Sequence, residues 1–297
     1  MGLSPFIVGI LIVGIGTSFP ELISSTVAVW QGVSELAVAN AVGSNIANIL
    51  LIIGFTAVVG RSIEVKKSLI DLDLPLLAIS TVLFLITAWD QKITWPEGII
   101  LLFTYGIYLG YTLLHVDDTV ADPDRILPAR DTRRSKLVQG KIAKKGRPRI
   151  TPADIGMLVL GLAGLIIGAK YLVDSVIALS TTLGIGVGVI SIIAVAFGTS
   201  LPELLVSLKA ALQKKSELAL GNIFGSNVFN IIVVTGFPAL FGGLAIDDKT
   251  FFVGIPVMAA ATVLFVISGI SRRIHVWEGA LYLIMYLLFF GKIVDLF

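Results

Sequence analysis

The sequence predicts an all-α polytopic membrane protein made of two inverted-topology repeats of transmembrane helices, and three observations carry that prediction. The first is composition. Of 297 residues, 56% are hydrophobic and 14% charged, with a mean hydropathy of +0.96, far more apolar than a water-soluble surface requires. The second is length. Nine apolar runs of about 20 residues, enough to cross ~30 Å of hydrocarbon, lie near 5–31, 35–59, 69–88, 96–114, 153–182, 188–213, 217–241, 251–270 and 276–296. The third is duplication: residues 16–55 and 198–237 align without a gap, 21 of 40 positions being identical.

The duplicated block opens on Gly16-Thr17-Ser18-Phe19-Pro20-Glu21 and Gly198-Thr199-Ser200-Leu201-Pro202-Glu203. It continues through Gln31/Gln213, Ser34-Glu35-Leu36-Ala37/Ser216-Glu217-Leu218-Ala219, Asn40/Asn222, Gly43-Ser44-Asn45/Gly225-Ser226-Asn227 and Asn48/Asn230. Weaker likeness persists beyond it, as in Leu74-Pro75 against Ile255-Pro256 and Glu97-Gly98 against Glu278-Gly279. The expected organisation is a first repeat over 1–114 with four helices, a basic linker over 115–151, and a second repeat over 152–297 with five. The span at 153–182 has no counterpart in the first half, so either the first half has lost a helix or the natural start lies upstream of Met1, the second being expected because inverted repeats normally preserve the full unit.

Basic residues set the expected orientation. Alternating nine spans puts 17 Lys and Arg on one side and 3 on the other, so the side holding the central loop is cytoplasmic and the C-terminus lies outside. The two motifs, five spans apart, then enter the membrane from opposite faces, as in secondary transporters built of inverted repeats. The linker's Lys and Arg read as a solvated, topology-setting loop, not a nucleic-acid site, and no protein partner is implied. The first 16 residues carry no basic residue and no cleavage site, and do not read as a signal peptide. Cys is absent, which rules out disulfides and thiolate metal sites.

The motifs carry the chemistry. Pro20 and Pro202 cannot donate to the carbonyls of Gly16 and Gly198, so each helix breaks one turn before a carboxylate. The freed carbonyl, Thr17 or Thr199, Ser18 or Ser200, and Glu21 or Glu203 can then face one point. Ser44 with Asn48, and Ser226 with Asn230, sit four apart and share a helical face. All these groups are hard oxygen donors, suited to Na⁺ or Ca²⁺ and not to soft metals. Two carboxylates without a cationic partner ask for one divalent or about two monovalent cations, and can hold protons when empty. A lone Ser or Asn in a membrane helix is most often interhelical glue worth ~1 kcal/mol; glue does not require Glu after a Pro break in both halves. Asn45 and Asn227 read equally as packing or as ligands. Lys170 and Asp174 read as an intrahelical pair, Glu35 and Glu217 as solvated vestibule acids, and His115 and His275 as unlike a metal site.

The doubled Gly-Thr-Ser-x-Pro-Glu and Gly-Ser-Asn-x-x-Asn pattern resembles the alpha repeats of the calcium/cation antiporter superfamily, specifically its prokaryotic sodium/calcium exchangers, over most of the chain. The resemblance implies a ten-helix fold of two inverted five-helix halves in the cell membrane, moving Ca²⁺ against Na⁺ or H⁺, with no organic cofactor and no enzymatic reaction. Carried over by motif, Glu21 and Glu203 become central ligands shared by Ca²⁺ and Na⁺. Thr17, Ser18, Thr199 and Ser200 line the sites, and Ser44, Asn48, Ser226 and Asn230 complete them. Similar members carry Asp where Asn230 stands, a departure that bears on Ca²⁺ affinity, K⁺ dependence and stoichiometry. The expected function is Ca²⁺/Na⁺ antiport by alternating access, with Ca²⁺/H⁺ or Na⁺/H⁺ antiport as the alternative. A channel would use the same ligands and carry steady current; an intramembrane enzyme would need a nucleophile and base that the sequence lacks.

Overall fold

The computed structural model describes residues 13–65, 73–114 and 152–296; the central linker, the first twelve residues and residues 66–72 lie outside it. The first half contains α1 (Ile15–Thr17), α2 (Phe19–Trp30), α3 (Glu35–Ile46), a π-helical stretch Ala47–Ile53, α4 (Gly54–Val59), β1 (Ile63–Glu64), α5 (Leu74–Thr87), β2 (Lys92–Ile93) and α6 (Trp95–Leu114). The second contains α7 (Pro152–Leu183), α8 (Val187–Ile190), a π stretch Ser191–Val195, α9 (Ala196–Thr199), α10 (Leu201–Leu212), α11 (Ser216–Phe229), a π stretch Asn230–Val234 and α12 (Thr235–Ala239). It ends with β3 (Leu244–Ala245), a π stretch Thr250–Gly254, α13 (Ile255–Ile270), β4 (Arg273–Ile274) and α14 (Val276–Ile293).

Among the described residues, five continuous helices are long and apolar enough to cross a membrane: Glu35–Val59, Gly156–Leu183, Ser216–Ala239, Thr250–Ile270 and Val276–Ile293. A sixth forms if Val187–Thr199 and Leu201–Leu212, bent by 43°, count as one span. Within the described residues, helices also occupy parts of the three remaining predicted stretches, at α2, α5 and α6, of which α5 is apolar but short; residues 5–12 and 69–72 of those stretches lie outside the described residues.

The two most interior spans are those that carry the Gly-Ser-Asn motifs. Over Glu35–Val59, 78% of the apolar window is buried, and over Ser216–Ala239 94%. Their sequences explain this: α3 is a run of small and polar residues with few bulky side chains, which lets neighbouring backbones approach closely. At Gly43 the approach is extreme, since a Cβ there would lie 2.4 Å from the carbonyl oxygen of Ile192 and 2.7 Å from the Ala196 methyl. Leucine-rich α7 is the opposite case, with only 11% of its window buried. It lies on the periphery, where Ala169, Val173 and Val176 pack with Val27, Ala28 and Leu36.

Matching contacts tie the halves together. Gly54 crosses Gly279 and Gly98 crosses Gly236, each pair so close that an added Cβ would meet the partner's carbonyl oxygen at 2.7–3.1 Å. Two short antiparallel ribbons repeat the scheme, β1 with β4 (Ile63 opposite Ile274) and β2 with β3 (Ile93 opposite Leu244). Each ribbon joins one strand from each half. The helices that follow β2 and β4 also begin alike: the Glu97 carboxylate accepts from Thr94 N–H, and that of Glu278 from His275 N–H, both at 2.7 Å. His275 is thus the N-cap residue of α14.

Candidate cation site

Each Pro-Glu element forms the same local break. Ser18 (φ −89°, ψ 4°) and Ser200 (φ −82°, ψ 3°) leave helical geometry, and Pro20 and Pro202 lie in the first turn of α2 and α10. A proline is tolerated there because the first helical N–H groups have no intrahelical acceptor. Glu21 and Glu203 follow in that first turn and are both 0% exposed. The break thus aims a carboxylate from each half into the interior.

The first half reaches across to Glu203. Ser18 Oγ donates to Glu203 Oε1 at 3.1 Å, and Ser226 Oγ lies 3.3 Å from the same oxygen and 3.2 Å from the Gly14 carbonyl. The single Thr17 hydroxyl proton is shared between the Val13 carbonyl at 3.0 Å and Asn222 Oδ1 at 3.3 Å, and Oγ1 lies 3.5 Å from Ser226 Oγ. Thr199 Oγ1 makes the equivalent bond to the Val195 carbonyl at 3.0 Å and faces the Glu21 carboxylate of the first half, but it does not reach Asn40 Oδ1.

Around Glu21 the groups present are the same and the bonds are not. Both Glu21 carboxylate oxygens, Glu203 Oε2, the hydroxyls of Ser44 and Ser200, Asn48 Oδ1 and both side-chain polar atoms of Asn230 are buried without a hydrogen-bond partner among the described residues. Leaving buried polar atoms unpaired costs on the order of 1–3 kcal/mol each, and more for a charge. A set of oxygens in this condition fits a hard cation, which would satisfy several at once. Two carboxylates supply its charge, as no cluster of three His, Cys, Asp or Glu side chains exists among the described residues.

The structure brings the ten sequence-predicted residues into one buried region, all under 10% exposed save the half-buried Thr17. Two sequence expectations change. The four-residue spacing of Ser44 with Asn48 and of Ser226 with Asn230 assumes α-helix, whereas Asn48 and Asn230 fall at the start of π-helical stretches, insertions that frequently mark functional sites. Asn45 and Asn227 join the two halves, Asn45 Nδ2 donating to the Asn227 carbonyl at 3.1 Å and Asn48 Nδ2 to Asn227 Oδ1 at 3.3 Å, while Asn45 Oδ1 is buried without a partner among the described residues. Asp174 accepts from Gln31 Nε2 at 3.0 Å, so it links α7 to the end of α2 instead of serving only its own helix. Glu35 is exposed at the start of α3.

Sequence reasoning gave no role to Asn40 and Asn222. Asn40 Nδ2 lies 3.3 Å from the hydroxyls of Ser24 and Ser25 and 3.5 Å from the Glu21 carbonyl. Asn222 Nδ2 repeats this with Ser207 at 3.0 Å and the Glu203 carbonyl at 3.4 Å. Each amide holds a Glu-bearing helix against the Gly-Ser-Asn helix of its own half. The signal was present, because Asn40/Asn222 and Ser25/Ser207 are identical across the repeat. Beside the site, a cavity of about 180 Å³ lies between α2, α7 and Thr199, lined by Pro20, Ser24, Gly164, Gly168 and Leu172 among others.

Comparison with known proteins adds to this geometry. The model of the sodium/calcium exchanger protein family matches residues 1–114 and 154–291. The chain is 37% identical to the putative antiporter CaxA of Alkalimonas amylolytica, over 97% of this chain and 87% of that protein. It is 32% identical to the sodium/calcium exchanger MaX1 of Methanosarcina acetivorans, over 97% and 89% respectively. Among solved structures, the sodium-calcium exchanger NCX_Mj superposes with a TM-score of 0.67 at 29% identity, covering 96% of this chain and 86% of that one.

Proposed function

The chain belongs to the sodium/calcium exchanger protein family, membrane transporters and not enzymes, and from that premise we propose that it exchanges Ca²⁺ for Na⁺ by alternating access. The observation that carries the reading is the convergence of Glu21 and Glu203, both fully buried at matching Pro breaks, with hydroxyl and amide oxygens from both halves. Ca²⁺ or Na⁺ is the transported substrate. Thr17, Ser18, Thr199, Ser200, Ser44, Asn48, Ser226 and Asn230 line its path with the two carboxylates.

The physics of exchange follows from charge. With Ca²⁺ or about two Na⁺ bound, the dianionic site is near neutral and can pass through the low-dielectric intermediate arrangement. Empty, it carries two uncompensated charges that make the same passage costly. Return therefore requires a counter-ion, which separates an exchanger from a leak.

Nine crossings in two inverted repeats, one over 1–114 and the other over 152–297, with the 115–151 linker cytoplasmic and the C-terminus outside, complete the reading. The basic-residue asymmetry of the sequence and the paired ribbons and glycine crossings support it. The test is radioactive Ca²⁺ uptake into proteoliposomes loaded with Na⁺, beside vesicles holding only a pH gradient. Uptake driven by the Na⁺ gradient alone is the expected result; uptake that needs the proton gradient overturns Na⁺ coupling and leaves Ca²⁺/H⁺ antiport.

A further inference from the structure

Asn40 and Asn222 occupy equivalent places in the two halves, are both 0% exposed, and use Nδ2 in the same way. Their carbonyl oxygens differ. Asn222 Oδ1 is met across the interface by Thr17 Oγ1 at 3.3 Å, while Asn40 Oδ1 is buried with no partner. The group that repeat symmetry would bring to Asn40 is Thr199, whose hydroxyl bonds Val195 and Ala196 of its own helix and faces the Glu21 carboxylate without reaching Asn40 Oδ1.

The neighbouring pairs show the same imbalance. Ser18 and Ser226 reach Glu203 Oε1, whereas their counterparts Ser200 and Ser44 reach neither oxygen of Glu21. One interface between the halves carries the Thr17–Asn222 and Ser18–Glu203 contacts, and its mirror image lacks their Thr199–Asn40 and Ser200–Glu21 equivalents though it holds the same residue types. A buried acceptor without a donor is costly, and exchanging which of the two amides is met leaves the number of unmet acceptors unchanged.

We propose that Asn40 and Asn222 are alternating positioning residues: Thr17 engages Asn222 in the state seen here, and Thr199 engages Asn40 in the oppositely facing state. The inference rests on the alternating-access reading. Each amide keeps its Glu-bearing helix fixed to its own half through Nδ2, and its Oδ1 records which half has swung in. The hydrogen bond lost on one side is regained on the other, which keeps the two states near balance.

Because the chain contains no cysteine, a single Gly168→Cys reporter reads the equilibrium. That position lines the cavity beside α2 and Thr199, and a Cβ there meets nothing within 4 Å. Labelling by a hydrophilic maleimide is followed in Na⁺, in Ca²⁺, and in chelator with neither ion, where ligation cannot contribute. In the ion-free medium Thr17→Val should slow labelling and Thr199→Val should speed it, each about 3- to 10-fold, the range one hydrogen bond supplies. Thr17→Ser and Thr199→Ser, which keep the hydroxyl, should restore the parent rate. Shifts in the same direction, or none, overturn the latch while a parent rate that responds to ions leaves alternating access standing. A parent rate identical in all three media overturns alternating access itself.

Discussion

Glu21 and Glu203 lie in near-identical sequence, at the same local break, at the same depth of burial, and their surroundings differ. Glu203 has hydroxyls from Ser18 and Ser226 on one oxygen; their counterparts Ser200 and Ser44 reach neither oxygen of Glu21. Duplication delivers equal sets of groups to the two halves, but each hydroxyl can complete only one arrangement at a time. Unequal partners on equal sequences are what a two-state device made of two copies should display in either of its states.

The widest test of this comparison removes the charges. Glu21→Gln and Glu203→Gln should each reduce Ca²⁺ exchange to background in proteoliposomes while the purified proteins keep their elution profile and helicity. Both losses are expected whatever the hydrogen bonds, because charge compensation needs both carboxylates. Retained exchange in either variant would break the symmetry of role that the shared burial implies.

Adding charge sharpens the contrast. Asn230 and Asn48 both present an unpartnered Oδ1, but Asn48 also donates Nδ2 to Asn227 while Asn230 Nδ2 has no partner among the described residues. Asn230→Asp should therefore raise apparent Ca²⁺ affinity about tenfold, the order of one added charge–charge term near a partly desolvated cation. Asn48→Asp should do less and cost stability, since it loses a donor to Asn227. Equal gains from the two would erase the distinction.

Stability gives the next smaller effect. Asn222→Ala removes the bonds to Ser207 and the Glu203 carbonyl together with the contact to Thr17, and should lower unfolding stability by about 1–3 kcal/mol in thermal melts. Asn40→Ala should cost less, by the one cross-interface contact it never had in this state. The smallest difference is between serines: Ser18→Ala should weaken the hold on Glu203 by about 1 kcal/mol, and Ser200→Ala, which touches no partner here, should leave melting unchanged.

Much of this site was legible before any coordinates, for definite reasons. Glu after Pro in a membrane span is too costly to be incidental, so Glu21 and Glu203 announce themselves, and a fixed offset of like residues exposes the repeat. Asn40 was visible in the same alignment but carried no reading, because an amide serves equally as clamp, ligand or filler until its neighbours are known. The π-helical stretches at Ala47–Ile53 and Asn230–Val234 had no signal, as one extra residue in a turn leaves composition and periodicity almost untouched. The Asp174–Gln31 link joins residues 143 positions apart, beyond the reach of local spacing.

By itself, then, the sequence determined the membrane class, the duplication and the donor chemistry, since these depend on which groups are present and on their spacing along one helix. Only the tertiary structure decided which copy of each group is engaged. Ser18 turns to Glu203 while Ser200 leaves Glu21 bare, and that choice is made by how two nearly identical halves pack against each other.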